Sequence, residues 1–401
     1  MITKKLKNGL RVIFLKKDTD SVTIQITVKV GSNYEKKGMR GISHFMEHML
    51  FEGTKKRKDG TVIANEIEKL GGEFNAYTTN EKTCFYIKVA KKHFLVAADI
   101  LSDILQNPTF NEDKIKKEKK VVLKEINMAI DEPRDYQWSL FMKKLFKKHP
   151  AKYPVIGRKE DVQKITRENL FDYFNEFYVP NNMIISIVGN VRNPIPLITK
   201  QFSKPPKEIS VENTIVEPKQ KRPEKIIEQR KILNSYLILG YRTVGGIHKD
   251  SYVLDVIEAL LARGQSGKIV EEIRNKRGLA YEVNIDVNNM TDTGYFAVYL
   301  STDKSNISKA IKIIMKQLSL LSKVTTNELN DAKGYIEGQF ILDKESTSNL
   351  ADELGYWEAL KSAKLHLTYI KNIKSVTKKD VARVAKKYLN KNYTLAIIKQ
   401  K

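Results

Sequence analysis

The sequence predicts an α+β fold in two similar halves, and three observations lead there. Each half mixes short alternating strand patterns with longer amphipathic helix patterns. Residues 204–223 place Pro205, Pro206, Pro218 and Pro223 among charged residues with few apolar positions, the composition of a linker. A single offset pairs Glu47 with Glu258, Gly53 with Gly264 and Phe85 with Phe296, and lays MLFEG over LLARG. A repeat of that length points to duplicated domains rather than a solenoid. The expected organisation is therefore a module over 1–203, a linker over 204–224 and a homologous module over 225–401.

The elements follow from periodicity. Leu10, Val12 and Phe14 alternate after an Asn8-Gly9 turn, as in a strand. TIQITVKV (23–30), TCFYIKVA (83–90) and NMIISIVG (182–189) also read as strands. Helical spacing marks 44–51, 62–70, 93–105 and 112–130. In the second half, 235–242 and 294–302 read as strands, and 251–262, 266–276 and 307–321 as helices. At the repeat offset His44 becomes Asp255 and His48 becomes Ala259, so only the first copy carries a histidine pair.

The chain has 401 residues, 41% of them hydrophobic, enough for two or three domains. It contains no apolar run of the roughly 18 residues that would span a bilayer. The basic N-terminus lacks a long apolar run and a small-residue cleavage site, so it reads as mature protein. The one cysteine, Cys84, excludes an intrachain disulfide and fits a reducing compartment, and a cytoplasmic location is expected. The formal charge of +24 arises from 71 Lys+Arg against 47 Asp+Glu. The lysines recur as short runs along most of the chain, which reads as a solvated surface; a basic chamber favouring acidic peptide segments is the alternative. A nucleic-acid partner is not expected: no zinc-knuckle spacing, RNP-type aromatic motif or arginine-rich arm is present.

The chemistry concentrates in GISHFMEHMLFEGT. On a helix His44 and His48 lie one turn apart on one face and can present two imidazole nitrogens to one ion. Glu47 projects beside them, well placed for a water on the metal, whose proton a neighbouring carboxylate can take. An exposed helix with a pH-sensitive histidine pair would show the same spacing. Phe45, Met46, Met49, Leu50 and Phe51, however, make this helix largely apolar elsewhere, and buried histidines need partners. The third ligand must come from another segment. Glu118 and Glu125 lie two turns apart on one face of EKKVVLKEINM, where one carboxylate can ligate while the other hydrogen-bonds a ligating histidine.

His-x-x-Glu-His is the inverted zincin arrangement, and around it the chain resembles the pitrilysin, insulysin and mitochondrial processing peptidase family. The resemblance runs from NGLRV through GISHFMEHMLFEGT, LGGEFNAYTTNEKT and VLKEI. It continues through HPAKYPVIGRKEDVQKIT and FYVPNNMIISIVGNV to RNKRGLAY. It implies one zinc ion per chain on His44, His48 and Glu125, Glu47 as general base, and Glu118 supporting a ligand. It implies that Asn75 and Ala76 bind substrate as an added strand. It also implies that Arg274 and Tyr281 stabilise the oxyanion, with Gly278 ending the helix that carries Arg274. The implied fold is two homologous α/β-sandwich-like modules, each a mostly antiparallel sheet packed with helices, together half of a clamshell. The implied activity is endopeptidase cleavage of unstructured peptides in a homodimer or a heterodimer with a related subunit, with no membrane partner. The competing expectation is a non-catalytic peptide-binding or assembly subunit that retains the zinc site.

Overall fold

The computed structural model describes residues 1–209 and 215–401. One sheet has the order β1-β2-β6-β3-β5-β4: Ile2–Lys5 (β1), Arg11–Lys16 (β2), Ser21–Val28 (β3), Glu73–Thr78 (β4), Thr83–Ala90 (β5) and Met183–Gly189 (β6). All its pairings are antiparallel except β2 with β6. The other sheet has the order β7-β11-β8-β10-β9: Glu224–Arg230 (β7), Ser235–Val244 (β8), Ala280–Asn289 (β9), Thr293–Thr302 (β10) and Thr394–Gln400 (β11). Its single parallel pairing is β7 with β11. Once the extra edge strand β1 is set aside, the two sheets have the same order and the same placement of the parallel pair. The repeat read from a few matched residues is therefore a repeat of topology.

The central strands explain their own position. β6, MIISIVG, is buried throughout, and β3, SVTIQITV, is buried at every position after Ser21. Such strands must be covered on both faces. On one face of β3, Thr23, Gln25 and Thr27 meet helix Thr347–Leu360. Thr23 and Thr347 exchange a hydroxyl hydrogen bond of 2.9 Å. Gly355 allows the close approach, since a Cβ there would lie 3.0 Å from the Thr27 hydroxyl and 3.3 Å from that of Ser186. Leu350, Ala351 and Leu354 pack on Ile13, Ile184 and Val188 of the same sheet. In the other sheet helix Pro133–Leu145 has the corresponding place, with Leu140 and Phe141 against Ile238, Ala297 and Ile398. Here Gly240 makes the room: a Cβ would fall 2.5 Å from the Phe141 ring.

These two helices show that the compact units are not contiguous in sequence. One comprises Met1–Asn127, Tyr153–Asn213 and Leu342–His366; the other comprises Met128–Lys152, Thr214–Ile341 and Leu367–Lys401. Each compact unit takes its covering helix from the far side of residues 204–224, so the units do not follow the expected boundaries in sequence. The physical reason is that each sheet has a second face to bury, and the helix that buries it is encoded far away in the chain. Within the expected linker, residues 210–214 lie outside the described residues, while 204–209 and 215–223 form neither helix nor strand. Among the described residues no helix is long and apolar enough to cross a membrane.

Candidate metal centre and active site

The histidine pair stands on helix Ile42–Phe51. Ile42, Ser43, Phe45, Met46, Met49 and Leu50 are buried, which leaves His44, Glu47 and His48 half-buried on one shared face. The helix is pinned at its start by Glu35, whose carboxylate accepts the Gly41 and Ser43 N–H groups, each at 2.9 Å. These are first-turn amides with no partner inside the helix. Burial pushes the Glu35 carboxyl up to about 7, against the pull of those two amides. The Ser43 hydroxyl completes the anchor, 2.8 Å from the Tyr173 hydroxyl.

Helix Glu112–Asp131 brings both predicted carboxylates to this face. Glu118 Oε2 lies 3.2 Å from His48 Nδ1 and is buried. A hydrogen bond from Nδ1–H to this carboxylate selects the tautomer that leaves Nε2 available as a ligand. That Nε2 lies 3.5 Å from Glu125 Oε2, and His44 Nε2 lies 3.9 Å from the same oxygen. The donor atoms of His44, His48 and Glu125 all fall within 4.8 Å of one another. The Glu125 oxygen is buried and, among the described residues, has no hydrogen-bond partner. It faces the lone pair of His48, an acceptor against an acceptor, and a divalent cation satisfies both. Burial pushes His44 down to about 4, with the neighbouring His48 acting in the same direction, so its imidazole is neutral near pH 7, the form that ligates. The residues present therefore fit zinc: two imidazoles and one carboxylate, with a position left for water.

Glu47 points off the same helix face. Its Oε2 accepts a hydrogen bond of 2.5 Å from the hydroxyl of Thr78, the last residue of β4. Burial pushes its carboxyl up, and the Thr78 hydroxyl opposes that shift. Thr78 was not singled out in the sequence. Its signal was the alternation of NAYTT, which sets Ala76 and Thr78 on one side of the strand, but only the pairing of β4 with β5 brings that side to the metal helix. Asn75 and Ala76 lie on β4, an edge strand that among the described residues pairs only with β5. The Ala76 N–H donates to the Asn75 side-chain oxygen at 2.8 Å, an exchangeable local bond.

Arg274 and Tyr281 belong to the other compact unit and stand together there, the guanidinium 5.4 Å from the phenol ring centroid. Arg274 is in the wide turn Glu271–Asn275, and Tyr281 is the second residue of β9, 85% exposed. Gly278 ends the helical segment at φ +57°, its N–H bonded to the Arg274 carbonyl at 3.0 Å, while Leu279 N–H reaches Ile273 O at 2.9 Å. Glycine adopts that backbone conformation without strain.

Comparison with known proteins agrees with this geometry. Residues 11–159 match the insulinase family of peptidases (family M16), and residues 164–335 match the M16 inactive domain. An uncharacterized zinc protease of Bacillus subtilis is 31% identical over 397 residues, covering 98% of this chain and 96% of the relative. An uncharacterized zinc protease of Rickettsia felis is 32% identical over 360 residues, covering 88% of this chain and 85% of the relative. The crystal structure of a protease from Helicobacter pylori superposes with a TM-score of 0.94 at 25% identity, covering 99% of each chain. A structure of a peptidase M16 inactive domain from Pseudomonas fluorescens, at 20% identity, covers 100% of this chain and 98% of its own with a TM-score of 0.91, a likeness of fold. The histidine pair and the two-sheet repeat thus have one explanation: the chain belongs to the M16 peptidase family.

Proposed function

We propose that the chain is a zinc-dependent endopeptidase acting on unstructured peptides, with His44, His48 and Glu125 as ligands. The observation that carries this reading is the buried, unpartnered Glu125 oxygen facing two imidazoles, with a half-buried glutamate alongside. A bound zinc ion supplies a Lewis acid and lowers the pKa of a coordinated water toward neutrality. Glu47, oriented by Thr78, would accept a proton from the attacking water and return it to the leaving amine. Glu118 fixes the tautomer of His48 through Nδ1. The open edge of β4 at Asn75 and Ala76 receives the peptide as an added strand, through main-chain hydrogen bonds that read extended shape. Arg274 and Tyr281 donate hydrogen bonds to the oxyanion.

A dimer, of two such chains or with a related subunit, encloses the peptide in a chamber and brings these two donors to the metal centre of the partner. Zinc content and cleavage of a quenched peptide library, measured on the parent and on His48→Ala, test the core of the proposal. About one zinc per chain with peptide hydrolysis, both lost in the variant, supports it. A folded parent that holds zinc but cleaves nothing supports the assembly-subunit reading, and a folded parent that binds no zinc overturns the metal site.

A further inference from the structure

β4 has work on both of its faces. On one, Phe74 packs against Phe51 of the metal helix with ring centroids 5.5 Å apart, and Thr78 holds Glu47. Successive side chains of a strand point to opposite faces, so Tyr77 points away from the metal, and there it meets Asp352 of helix Thr347–Leu360.

Three donors from three places converge on one Asp352 oxygen. They are the Tyr77 hydroxyl from β4, Gln25 Nε2 from β3 at 2.8 Å, and Lys82 Nζ from the turn between β4 and β5 at 3.2 Å. The Lys82 ammonium also lies 5.2 Å from the Tyr77 ring centroid and 5.7 Å from that of Tyr356, within the range of cation–π attraction. Burial pushes the Asp352 carboxyl up, yet Lys82, Tyr77 and Gln25 together hold it below its ordinary value. It is ionised near pH 7, and all three partners donate to it.

An edge strand has only one neighbour to set its register and tilt. A peptide added to its open side takes whatever geometry the strand offers. We propose that Asp352 is a positioning residue for substrate: it clamps β4 from the face opposite the metal. The clamp fixes the Asn75–Ala76 edge, which lies next to Tyr77 on the same strand. The inference rests on the peptidase reading above. It also gives the exchanged helix a role beyond covering the sheet, because the residue that steadies the substrate edge is encoded in the other repeat.

The test compares Asp352→Ala, Tyr77→Phe and Asp352→Asn with the parent. The readouts are zinc content, kcat and KM on an extended quenched peptide, and amide hydrogen exchange of residues 73–78 beside that of β3. In Asp352→Ala and Tyr77→Phe, KM rises by about tenfold while kcat stays within about threefold. Zinc remains stoichiometric, and exchange quickens in 73–78 but not in 21–28. Asp352→Asn, which keeps the acceptor oxygen, recovers most of the KM. Unchanged KM with unchanged exchange overturns the proposal, as does a fall in kcat at constant KM accompanied by zinc loss, the mark of general damage. If Asp352→Ala fails to fold, Tyr77→Phe, which removes one hydroxyl, decides alone. If the parent cleaves no peptide the peptidase reading fails, and unchanged exchange in 73–78 still overturns the clamp by itself.

Discussion

Helix Ile42–Phe51 and helix Lys249–Ala262 hold the same place in the two repeats, and each leads into a glycine of positive φ, Gly53 at +137° and Gly264 at +45°. His44, Glu47 and His48 of the first correspond to Asp255, Glu258 and Ala259 of the second. At the same offset Glu125 corresponds to Ile336, which with Asp255, Glu258, Arg263, Tyr335 and Tyr369 lines a cavity of about 220 Å³. One half-buried glutamate survives in both, but its surroundings differ. Glu47 has two imidazoles beside it and a threonine hydroxyl donating to it. Glu258 has Asp255 and Asp286 near it, and no hydrogen bond reaches it among the described residues. Burial and these like charges push Glu258 up to about 8, and burial pushes Asp255 up to about 6 although Tyr369 donates to it at 2.9 Å. Glu258, left in this place without a cation, retains its proton near pH 7, so the two copies differ in the company of the glutamate rather than in its presence.

The comparison is broken most directly by treating both glutamates alike. Glu47→Gln lowers kcat by about 10³-fold with zinc retained, the loss of one general base; Glu258→Gln leaves peptide turnover within about twofold. Equal effects, measured as kcat on one quenched peptide with zinc quantified in each preparation, contradict the assignment of roles. On the oxyanion role proposed for Tyr281, Tyr281→Phe lowers kcat/KM by about 10²-fold. Mixing Glu47→Gln chains with Tyr281→Phe chains restores activity when sites are shared between subunits. No recovery in a verified mixed dimer excludes the sharing.

Much of this was legible in the sequence because it is local. His44, Glu47 and His48 lie within one helical turn and Glu118 and Glu125 on one face of one helix, so spacing gives each group its shared face, while joining the two groups rested on the family resemblance. Gly278 between Arg274 and Tyr281 was readable as a helix stop for the same reason. Thr78 and Asp352 were not legible. Their roles depend on β4 being an edge strand and on which helix covers its other face, and both facts come from pairing across long stretches of chain. Helices Pro133–Leu145 and Thr347–Leu360 carry enough local pattern to form, but nothing in their residues states which repeat's sheet they cover.

The buried acids of the second repeat sharpen the comparison through stability. The folded chain holds a proton on Glu258 up to about pH 8, while the unfolded chain releases it near the ordinary 4.5. The folded state therefore binds more protons in that window, and stability falls as pH rises from about 4.5 to 8. Asp255 adds a smaller fall in the same direction, ending near 6. Glu258→Gln removes the larger share. Its melting temperature matches the parent's near pH 4.5 and exceeds it at pH 8.5, with a gain on the order of 2 kcal/mol after allowance for partial exposure. A difference that does not change with pH removes Glu258 as its source.

The smallest effect isolates the one hydroxyl that distinguishes the two glutamates. Thr78→Val keeps the branched side chain of an edge-strand residue and removes only the donor to Glu47 Oε2. A hydrogen bond to a charged group contributes about 1.5–3 kcal/mol, and partial exposure of the pair brings the expected loss to the lower end, about tenfold in kcat. Zinc stays bound, because among the described residues the Thr78 hydroxyl donates to Glu47 and hydrogen-bonds none of the three ligands, and KM for an extended peptide stays within about twofold, because the valine leaves the β4 backbone in place. Thr78→Ser, which restores the hydroxyl, recovers the rate. If valine and serine perform alike, Glu47 is oriented by the metal site alone, and the strand's part in catalysis reduces to binding.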